Sequence, residues 1–209
     1  MKNIYIVRHG QTDYNVKGIV QGRGVDSSLN EVGEKQAQFL FEYYKDVPFD
    51  MIYISTLQRT FQTIRAFEAL GIPIEKHEGI DEIDWGIYEG VEHDAIVSSV
   101  CMDTLRRWSQ GELDIAVEGA ETPLQLHERQ KPFIHLLKNT EHQNIMVCTH
   151  GRSIRALLCS LTGKPLSAMD TFPHSNTCVY HLQYLEGDFE IIAANDLSHL
   201  QSSEELCLL

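Results

Sequence analysis

The sequence predicts an α/β fold, a three-layer sandwich in which helices flank both faces of a mostly parallel central sheet. Short apolar runs of strand length alternate along the chain with longer segments whose apolar residues recur at helical spacing. The clearest of these runs lie at 2–7, 51–54 and 145–149. No internal repeat, low-complexity tract or linker interrupts the 209 residues, so we expect a single domain over 1–209.

The individual elements follow from capping residues, glycines and apolar spacing. Glycines are expected to keep residues 10–28 irregular, and 186–188 is expected to be the turn of a hairpin. In chain order, the expected elements are a strand at 2–7, a helix capped by Asn30 and ending near Tyr44, a strand at 51–54, a helix capped by Ser55 and Thr56, an extended piece at 72–74, a helix opened by Thr122 and Pro123 and ending near Lys138, a strand at 145–149, a helix from Ser153 to Leu161, and a hairpin of 177–184 with 189–193.

One segment, residues 86–120, is less clearly patterned than the rest and lies between core elements. We interpret it as a small, largely helical insertion. Such an insertion beside a site is a natural position for a lid, and its side chains would then contribute to specificity.

The charge balance restricts the possible partners. Seventeen basic and thirty acidic residues give 17 − 30 = −13, which argues against duplex nucleic acid or an anionic membrane as a partner. A protein of this charge that binds an anion must concentrate its basic residues locally.

The five cysteines are scattered and include no Cys-x-x-Cys pair. They indicate reduced thiols, and we expect a cytoplasmic protein. The first apolar run is too short for a signal peptide, and no stretch approaches the roughly 20 apolar residues of a membrane span.

Two of the predicted strands end in a His-Gly pair, at His9-Gly10 and at His150-Gly151. Ligands of open parallel sheets bind beyond the carboxyl ends of the strands, so these histidines are expected to face one crevice. Arg59 falls in the first turn of the helix after the strand at 51–54, where the helix N-terminus also favours an anion. With Arg8, these residues predict a concentrated cationic pocket.

Competing interpretations are weaker. The ten histidines show no helical His-x-x-x-His pair with a carboxylate, so we expect no metal site. Gly22-Arg23-Gly24 is not a dinucleotide fingerprint, because Ser27 occupies the position of the third glycine. We therefore expect no cofactor.

Five blocks of the sequence follow one another over residues 4 to about 155. They are Arg8-His9-Gly10-Gln11-Thr12 with Asn15, Gln21-Gly22 followed by 28–37, residues 55–63 with Arg59, residues 82–90 with Glu82, and Thr149-His150-Gly151. In this order, the blocks resemble the histidine phosphatase superfamily, the phosphoglycerate mutase-like proteins. An Arg-His-Gly alone would be weak evidence, whereas five blocks in order are specific.

The resemblance implies a role for each matching residue. His9 is implied as a nucleophile that accepts the phosphoryl group, and Glu82 as the acid that protonates the leaving oxygen and then activates water. The remaining implied phosphate-binding residues are Arg8, Asn15, Gln21, Gly22, Arg59, His150 and Gly151. Asp84 and Glu89 flank Glu82 and are its rivals as the acid.

The resemblance implies a metal-independent phosphatase acting on a small phosphorylated metabolite through phosphohistidine. Mutases of this family carry a longer insertion and tail, whereas residues 90–120 offer only Arg106 and Arg107 as cations. Mutase-type transfer is the first alternative, and a binding protein without turnover is the second. The ester itself is open among sugar phosphates, phosphoglycerates and nucleotides, and a homodimer also stays open.

Overall fold

The central sheet of the computed structural model, which describes residues 1–92 and 95–201, has six strands. They are β1 (Lys2–Arg8), β2 (Met51–Ile54), β3 (Ile74–Lys76), β4 (Asn144–Thr149), β5 (Val179–Leu185) and β6 (Asp188–Asp196). Their order is β3-β2-β4-β1-β5-β6, in which β3, β2, β4 and β1 run parallel. The hairpin β5–β6 adds antiparallel to β1. The predicted mostly parallel α/β sheet is confirmed.

Most helices lie between these strands along the chain, and the last helix follows β6. They are α1 (Asp13–Val16), α2 (Glu31–Tyr44), α3 (Gln58–Ile64), α4 (Ala95–Ser109), α5 (Pro123–Asn139), α6 (Gly151–Thr162) and α7 (Ser198–Gln201), with 3-10 turns at Arg65–Leu70, Glu78–Ile80, Gly86–Tyr88 and Leu166–Thr171.

Side chains alternate between the two faces of the sheet, as the period of a strand requires. In β4, Ile145 and Val147 belong to the core cluster that includes residues of α5 and α6. Met146 and Cys148 belong to the opposite cluster, with residues of α2 and α3. All four are fully buried. Because its side chains enter both clusters, β4 joins the two helical layers. Burial of each large apolar side chain stabilises the fold by about 1.5–3 kcal/mol.

The structure differs from the predicted elements at several places, one of which is the hairpin, where β5 begins two residues after 177 and β6 ends three residues after 193. A capping box of Thr12 and Asn15 nucleates the short α1 inside the segment expected to be irregular. Neither Ser55 nor Thr56 caps α3, which follows Leu57 without a side-chain cap. Strand β3 lies two residues after the predicted piece at 72–74, and α6 begins two residues before Ser153.

The segment 86–120 is largely helical where it is described, since it contains α4 and a 3-10 turn. Trp108 of α4 is 2% exposed, tilts against Trp85 with ring centroids 5.6 Å apart, and donates its Nε1 hydrogen to the Ile115 carbonyl at 2.9 Å. The two tryptophans attach this segment to the rest of the molecule, and its function as a lid stays a prediction.

The cysteines within the described residues are free and buried, at Cys101, Cys148, Cys159 and Cys178. Cys207 lies outside the described residues. None of the helices in the described part of the chain is long and apolar enough to cross a membrane.

Candidate active site

The parallel strands β2, β4 and β1 are neighbours in the sheet, so their carboxyl ends meet at one edge. His9 follows β1 and His150 follows β4, and their ring centroids lie 5.2 Å apart. Arg59, in the first turn of α3 after β2, reaches His150 with its Nε 3.1 Å from Nδ1. The structure therefore brings together the residues that the strand ends predicted.

His9 is 3% exposed and is held in one orientation. Its backbone N–H donates to the Thr149 carbonyl at 3.0 Å, and its ring Nδ1 lies 2.7 Å from the carbonyl oxygen of Gly10. Because a carbonyl only accepts hydrogen bonds, Nδ1 carries the hydrogen and Nε2 keeps a free lone pair. Burial, and then the charges of Arg59 and Arg8, hold the pKa of His9 well below its usual range. The ring is therefore neutral and nucleophilic.

Arg59 is fully buried and is fixed by its own hydrogen bonds. Besides its contact with His150, its Nη1 donates to the Val25 carbonyl at 2.6 Å. Burial lowers the pKa of Arg59 to about 10, so the guanidinium is still a cation at neutral pH. Since none of the described carboxylates pairs with it directly, its charge acts on the two histidines beside it.

His150 is fixed from both sides of its ring. Nδ1 accepts from Arg59, and Nε2 lies 2.8 Å from the Ser55 hydroxyl oxygen. That hydroxyl also accepts from the Leu57 N–H at 3.1 Å and lies 3.0 Å from Thr60 Oγ1, which donates to the Leu57 carbonyl at 2.8 Å. Ser55 thus accepts from His150 and donates to Thr60, which places the hydrogen of the neutral imidazole on Nε2. Burial, followed by the charge of Arg59, holds the pKa of His150 well below its usual range.

Arg8 contributes a donor with no protein partner among the described residues. Its Nη1 donates to the His174 carbonyl at 2.6 Å, while its buried Nε makes no hydrogen bond. Gly151 lies against the same group, because a Cβ at this position would approach the His174 ring at 2.8 Å and Arg8 Nε at 3.6 Å. A side chain at Gly151 would therefore obstruct this end of the site.

The Glu82 carboxylate is held at the N-terminus of α6. It accepts from the backbone N–H groups of Arg152 at 3.0 Å and Ser153 at 2.8 Å, and from its neighbour Ile83 at 2.9 Å. Arg129 holds the segment by donating to the Glu82 carbonyl at 3.2 Å. The carboxylate, 7% exposed, is therefore rigidly placed at the edge of the site.

The two rival carboxylates, Asp84 and Glu89, accept hydrogen bonds from backbone groups. Asp84 accepts from the Gly86 N–H at 2.7 Å, and Glu89 accepts from the Trp85 N–H at 3.0 Å. Burial raises the pKa of Glu89, which packs so closely against Gly22 that a Cβ there would overlap it. Gly22 thus makes room for Glu89. Neither rival lines the cavity beside His9.

A cavity of about 270 Å³ opens beside His9. The predicted residues that line it are Arg8, His9, Asn15, Gln21, Glu82 and Gly151. Arg59, His150 and Gly22 do not line it and lie behind this first layer. The amide oxygen of Asn15 accepts from the Thr12 N–H at 3.1 Å, and that of Gln21 accepts from Ser27 Oγ at 2.6 Å. Their NH₂ groups are the ends left to donate to a ligand.

Sequence reasoning missed the remaining lining residues, which are Ile19, Val20, Trp85, Cys101, Leu105, Arg152 and His174. Arg152 was detectable, because it follows the second His-Gly pair in the first turn of α6. The apolar members carried no signal, since an apolar residue in a loop or helix is most often part of the core.

Known proteins resemble this chain over nearly its full length. A family model described as "Histidine phosphatase superfamily (branch 1)" matches residues 4–197. The protein named "Phosphoserine phosphatase 1" of Hydrogenobacter thermophilus is 29% identical over 202 residues, with 96% of this chain and 95% of that protein covered. A protein named "Probable phosphoglycerate mutase GpmB" of Enterobacter sp. is 28% identical, with 97% and 96% covered. The solved structure titled "Bacillus stearothermophilus YhfR" superposes with a TM-score of 0.84 at 26% identity, with 96% and 100% covered.

Proposed function

The chain belongs to the histidine phosphatase superfamily, and from this premise we propose that it hydrolyses small phosphate monoesters through a phosphohistidine on His9, without a metal ion. The observation that carries the proposal is the state of His9. Its Nδ1–H is bound to the Gly10 carbonyl, and the neutral ring therefore offers Nε2 as nucleophile at the wall of the cavity. The lining residues that the sequence predicted form what we call the phosphate end, which comprises Arg8, His9, Asn15, Gln21, Glu82 and Gly151.

In the first step, His9 Nε2 forms a bond to phosphorus while the bond from phosphorus to the ester oxygen breaks. Arg8 Nε and the amide groups of Asn15 and Gln21 donate to the phosphoryl oxygens. Glu82 gives its proton to the departing oxygen, which leaves as an alcohol. The phosphorylated ring is cationic, and the Gly10 carbonyl stabilises the hydrogen that stays on Nδ1.

In the second step, water attacks phosphorus and the bond to Nε2 breaks. Glu82, now ionised, accepts a proton from that water, and inorganic phosphate is released. Arg59 supports both steps from behind by holding His150 and adding positive charge. Because these fixed donors and charges face the transferring group, catalysis is mainly positioning and electrostatic stabilisation.

The positions of Arg106 and Arg107, the cations of the insertion at 86–120, support hydrolysis rather than mutase-type transfer. Arg106 pairs with Asp103 at 2.7 Å, and Arg107 donates to Glu112 at 2.9 Å, both on the exposed side of α4. Neither lines the cavity, so neither is placed to hold a second phosphorylated acid against His9.

We further propose a reducing, cytoplasmic environment, which the free buried cysteines support.

The proposed function is tested by trapping the intermediate. The protein is mixed with a ³²P-labelled ester in excess chelator, quenched within milliseconds, and divided between acid and base. We expect a phosphoenzyme that is stable in base and labile in acid, followed by free phosphate, with no label retained by His9→Ala.

Two outcomes favour the alternatives. Transfer of the label from the phosphoenzyme to added phosphoglycerate in preference to water would indicate a mutase. Tight binding of esters with neither label nor phosphate release would indicate a binding protein. Loss of activity in chelator, restored by a divalent ion, would contradict the metal-independent mechanism.

A further inference from the structure

The cavity has a second surface, formed by residues that the proposed chemistry does not use. We call it the apolar wall, which comprises Ile19, Val20, Trp85, Cys101 and Leu105. Val20 and Cys101 belong to one buried cluster against which Trp85 packs. Cys101 and Leu105 are four residues apart on α4 and therefore lie on one face of that helix. The wall is the apolar side of the cavity, beside the phosphate end.

Beyond the groups that bind the phosphoryl group, the cavity offers few polar groups to a leaving group. Glu82 is the one carboxylate among the described lining residues, and it accepts from three backbone N–H groups. Its remaining lone pairs are those that the proposed chemistry uses for the proton of the leaving oxygen. The amide oxygens of Asn15 and Gln21 are also occupied. An ammonium group on the substrate would therefore compete with that proton for Glu82, and a polyol would leave its hydroxyls unpaired against the wall.

The two remaining lining residues with nitrogen side chains are Arg152 and His174. Arg152 Nη1 donates to Asp170 at 2.5 Å, and its guanidinium lies 5.9 Å from the centroid of the Trp108 ring. A substrate carboxylate would share this guanidinium with Asp170, whose negative charge weakens the attraction. Burial, and then the charge of Arg8, lower the pKa of His174 to about 3, so this ring is neutral.

The volume indicates the size of the leaving group that would fill the cavity. The cavity measures about 270 Å³, and an apolar protein cavity of about 150 Å³ is known to hold benzene. After the phosphoryl group is placed, the space that remains suits one ring or a short branched chain.

On the basis of the proposed function, we propose that the apolar wall selects phosphate monoesters with a compact, uncharged, apolar leaving group, such as an aryl-methyl or branched alkyl alcohol. Esters of amino acids, hydroxy acids and sugars are then poorer substrates. The selection acts in the transition state, because the leaving group lies on the wall while Glu82 protonates its oxygen.

A panel of four esters of primary alcohols tests this inference. Benzyl phosphate is compared with O-phosphoserine, 3-phosphoglycerate and a hexose 6-phosphate, at equal pH and in chelator. We expect kcat/KM for benzyl phosphate to exceed each of the others by at least about tenfold. An equal or higher value for any of the three would overturn the inference and leave the proposed function standing. Failure to hydrolyse all four would overturn the proposed function and this inference with it.

Matched variants on one helix test the wall itself. Leu105→Asn adds a polar group to the wall, and Met102→Asn makes the same change on the outward face of α4, where Met102 is 65% exposed and does not line the cavity. We expect Leu105→Asn to lower kcat/KM for benzyl phosphate by about tenfold and that for the hexose phosphate by less than about threefold. Met102→Asn should leave both unchanged.

A smaller change to the wall checks the effect of Leu105→Asn. Val20→Thr keeps the shape of a buried wall residue but adds one hydroxyl, which costs stability where it finds no partner, and it should lower the ratio of benzyl phosphate to hexose phosphate activity in the same direction. The melting temperature of each variant is measured alongside. Equal losses for both esters in the folded variants would mean that the wall supports the structure and does not select the substrate.

Discussion

The phosphate end and the apolar wall share one cavity but are built differently. At the phosphate end, each group is oriented by hydrogen bonds, as the Gly10 carbonyl orients His9 and the N-terminus of α6 orients Glu82. The wall is formed by packing, with Cys101 4% and Val20 6% exposed. Phosphoryl transfer needs particular atoms at particular positions, whereas an apolar surface needs only shape and volume. The reaction is therefore determined by the strand ends, and the choice of ester by loops and α4.

The largest expected effect comes from removing the nucleophile. We expect His9→Ala to lower the hydrolysis of every ester by roughly 10⁵-fold or more, because loss of the covalent step affects apolar and polar substrates alike. His135→Ala, at an exposed histidine on α5, is the control and should keep full activity. Turnover by a folded His9→Ala above about 1% of wild type would remove His9 as the nucleophile.

The next largest effect distinguishes the acid from its rivals. Glu82→Gln keeps the shape of the side chain but cannot give a proton, so hydrolysis of sugar phosphates should slow by roughly 10²–10⁴-fold. p-Nitrophenyl phosphate has a good leaving group, so its burst of phosphoenzyme formation should slow much less. Single-turnover bursts measure this step apart from the attack of water.

Asp84→Asn and Glu89→Gln are the matched comparisons for Glu82. Both groups are bound to backbone N–H groups away from the cavity, so each variant should retain the same preference between the two esters as wild type. If Glu82→Gln slows the burst equally for both esters, Glu82 is not the acid.

The phosphate end and the apolar wall also differ in how they affect the pH dependence of stability. Histidines with depressed pKa values lie around the phosphate end, whereas the wall residues are apolar. His174 has a depressed pKa of about 3, so the unfolded chain binds a proton that the folded chain does not. Above the unfolded pKa of roughly 6.5, neither state binds the proton and the folded state keeps its full stability. As the pH falls from there toward the folded pKa, the unfolded chain takes up the proton and the free energy of unfolding decreases. Between pH 8 and pH 5, this single group should lower the free energy of unfolding by about 2 kcal/mol, close to thirtyfold in the unfolding constant.

Urea unfolding at the two pH values measures this loss. His174→Asn should remove part of the pH dependence, whereas Leu105→Ala should lower stability equally at both pH values. An unchanged pH dependence in His174→Asn would show that His174 is not protonated on unfolding in this range.

A smaller effect is expected from the hydroxyl groups behind the phosphate end. Ser55→Ala leaves Nε2–H of His150 without its acceptor and frees the ring to reorient, so we expect kcat to fall by about tenfold with little change in KM. Thr60→Val removes only the next hydroxyl of the chain and should cost less. Because a structural defect alone would also lower kcat, the ¹⁵N shifts of the His150 ring are measured. Arg59 still donates to Nδ1, so the hydrogen should stay on Nε2, but the Nε2 shift should change because its acceptor is lost. An unchanged Nε2 shift in Ser55→Ala would contradict the positioning role.

The same contrast explains how far the sequence predicted this site. The histidines, Arg8, Arg59 and Glu82 occur in short blocks at the ends of strands, where spacing along the chain translates into position in space. Ser55 was predicted as a helix cap, because its neighbours along the chain do not show that His150 lies beside it. The wall could not be predicted, since Ile19, Trp85 and Leu105 meet only through the packing of the insertion. Hydrogen-bonding chemistry is visible in local sequence, whereas cavity shape is a tertiary property.

The smallest expected effect concerns the outward side of α4, the helix whose inner face contributes Cys101 and Leu105 to the wall. Arg106 and Arg107 pair with Asp103 and Glu112, and their side chains are 58% and 39% exposed. Exposed pairs of this kind contribute about 0–1 kcal/mol each. The double variant of Arg106→Ala with Arg107→Ala should therefore change kcat/KM by less than about twofold for benzyl phosphate and for 3-phosphoglycerate. A loss of tenfold or more that is confined to 3-phosphoglycerate would mean that α4 brings its arginines to the substrate carboxylate. In that event the insertion would act as a clamp for phosphorylated acids, and mutase-type transfer would become the better account of the protein.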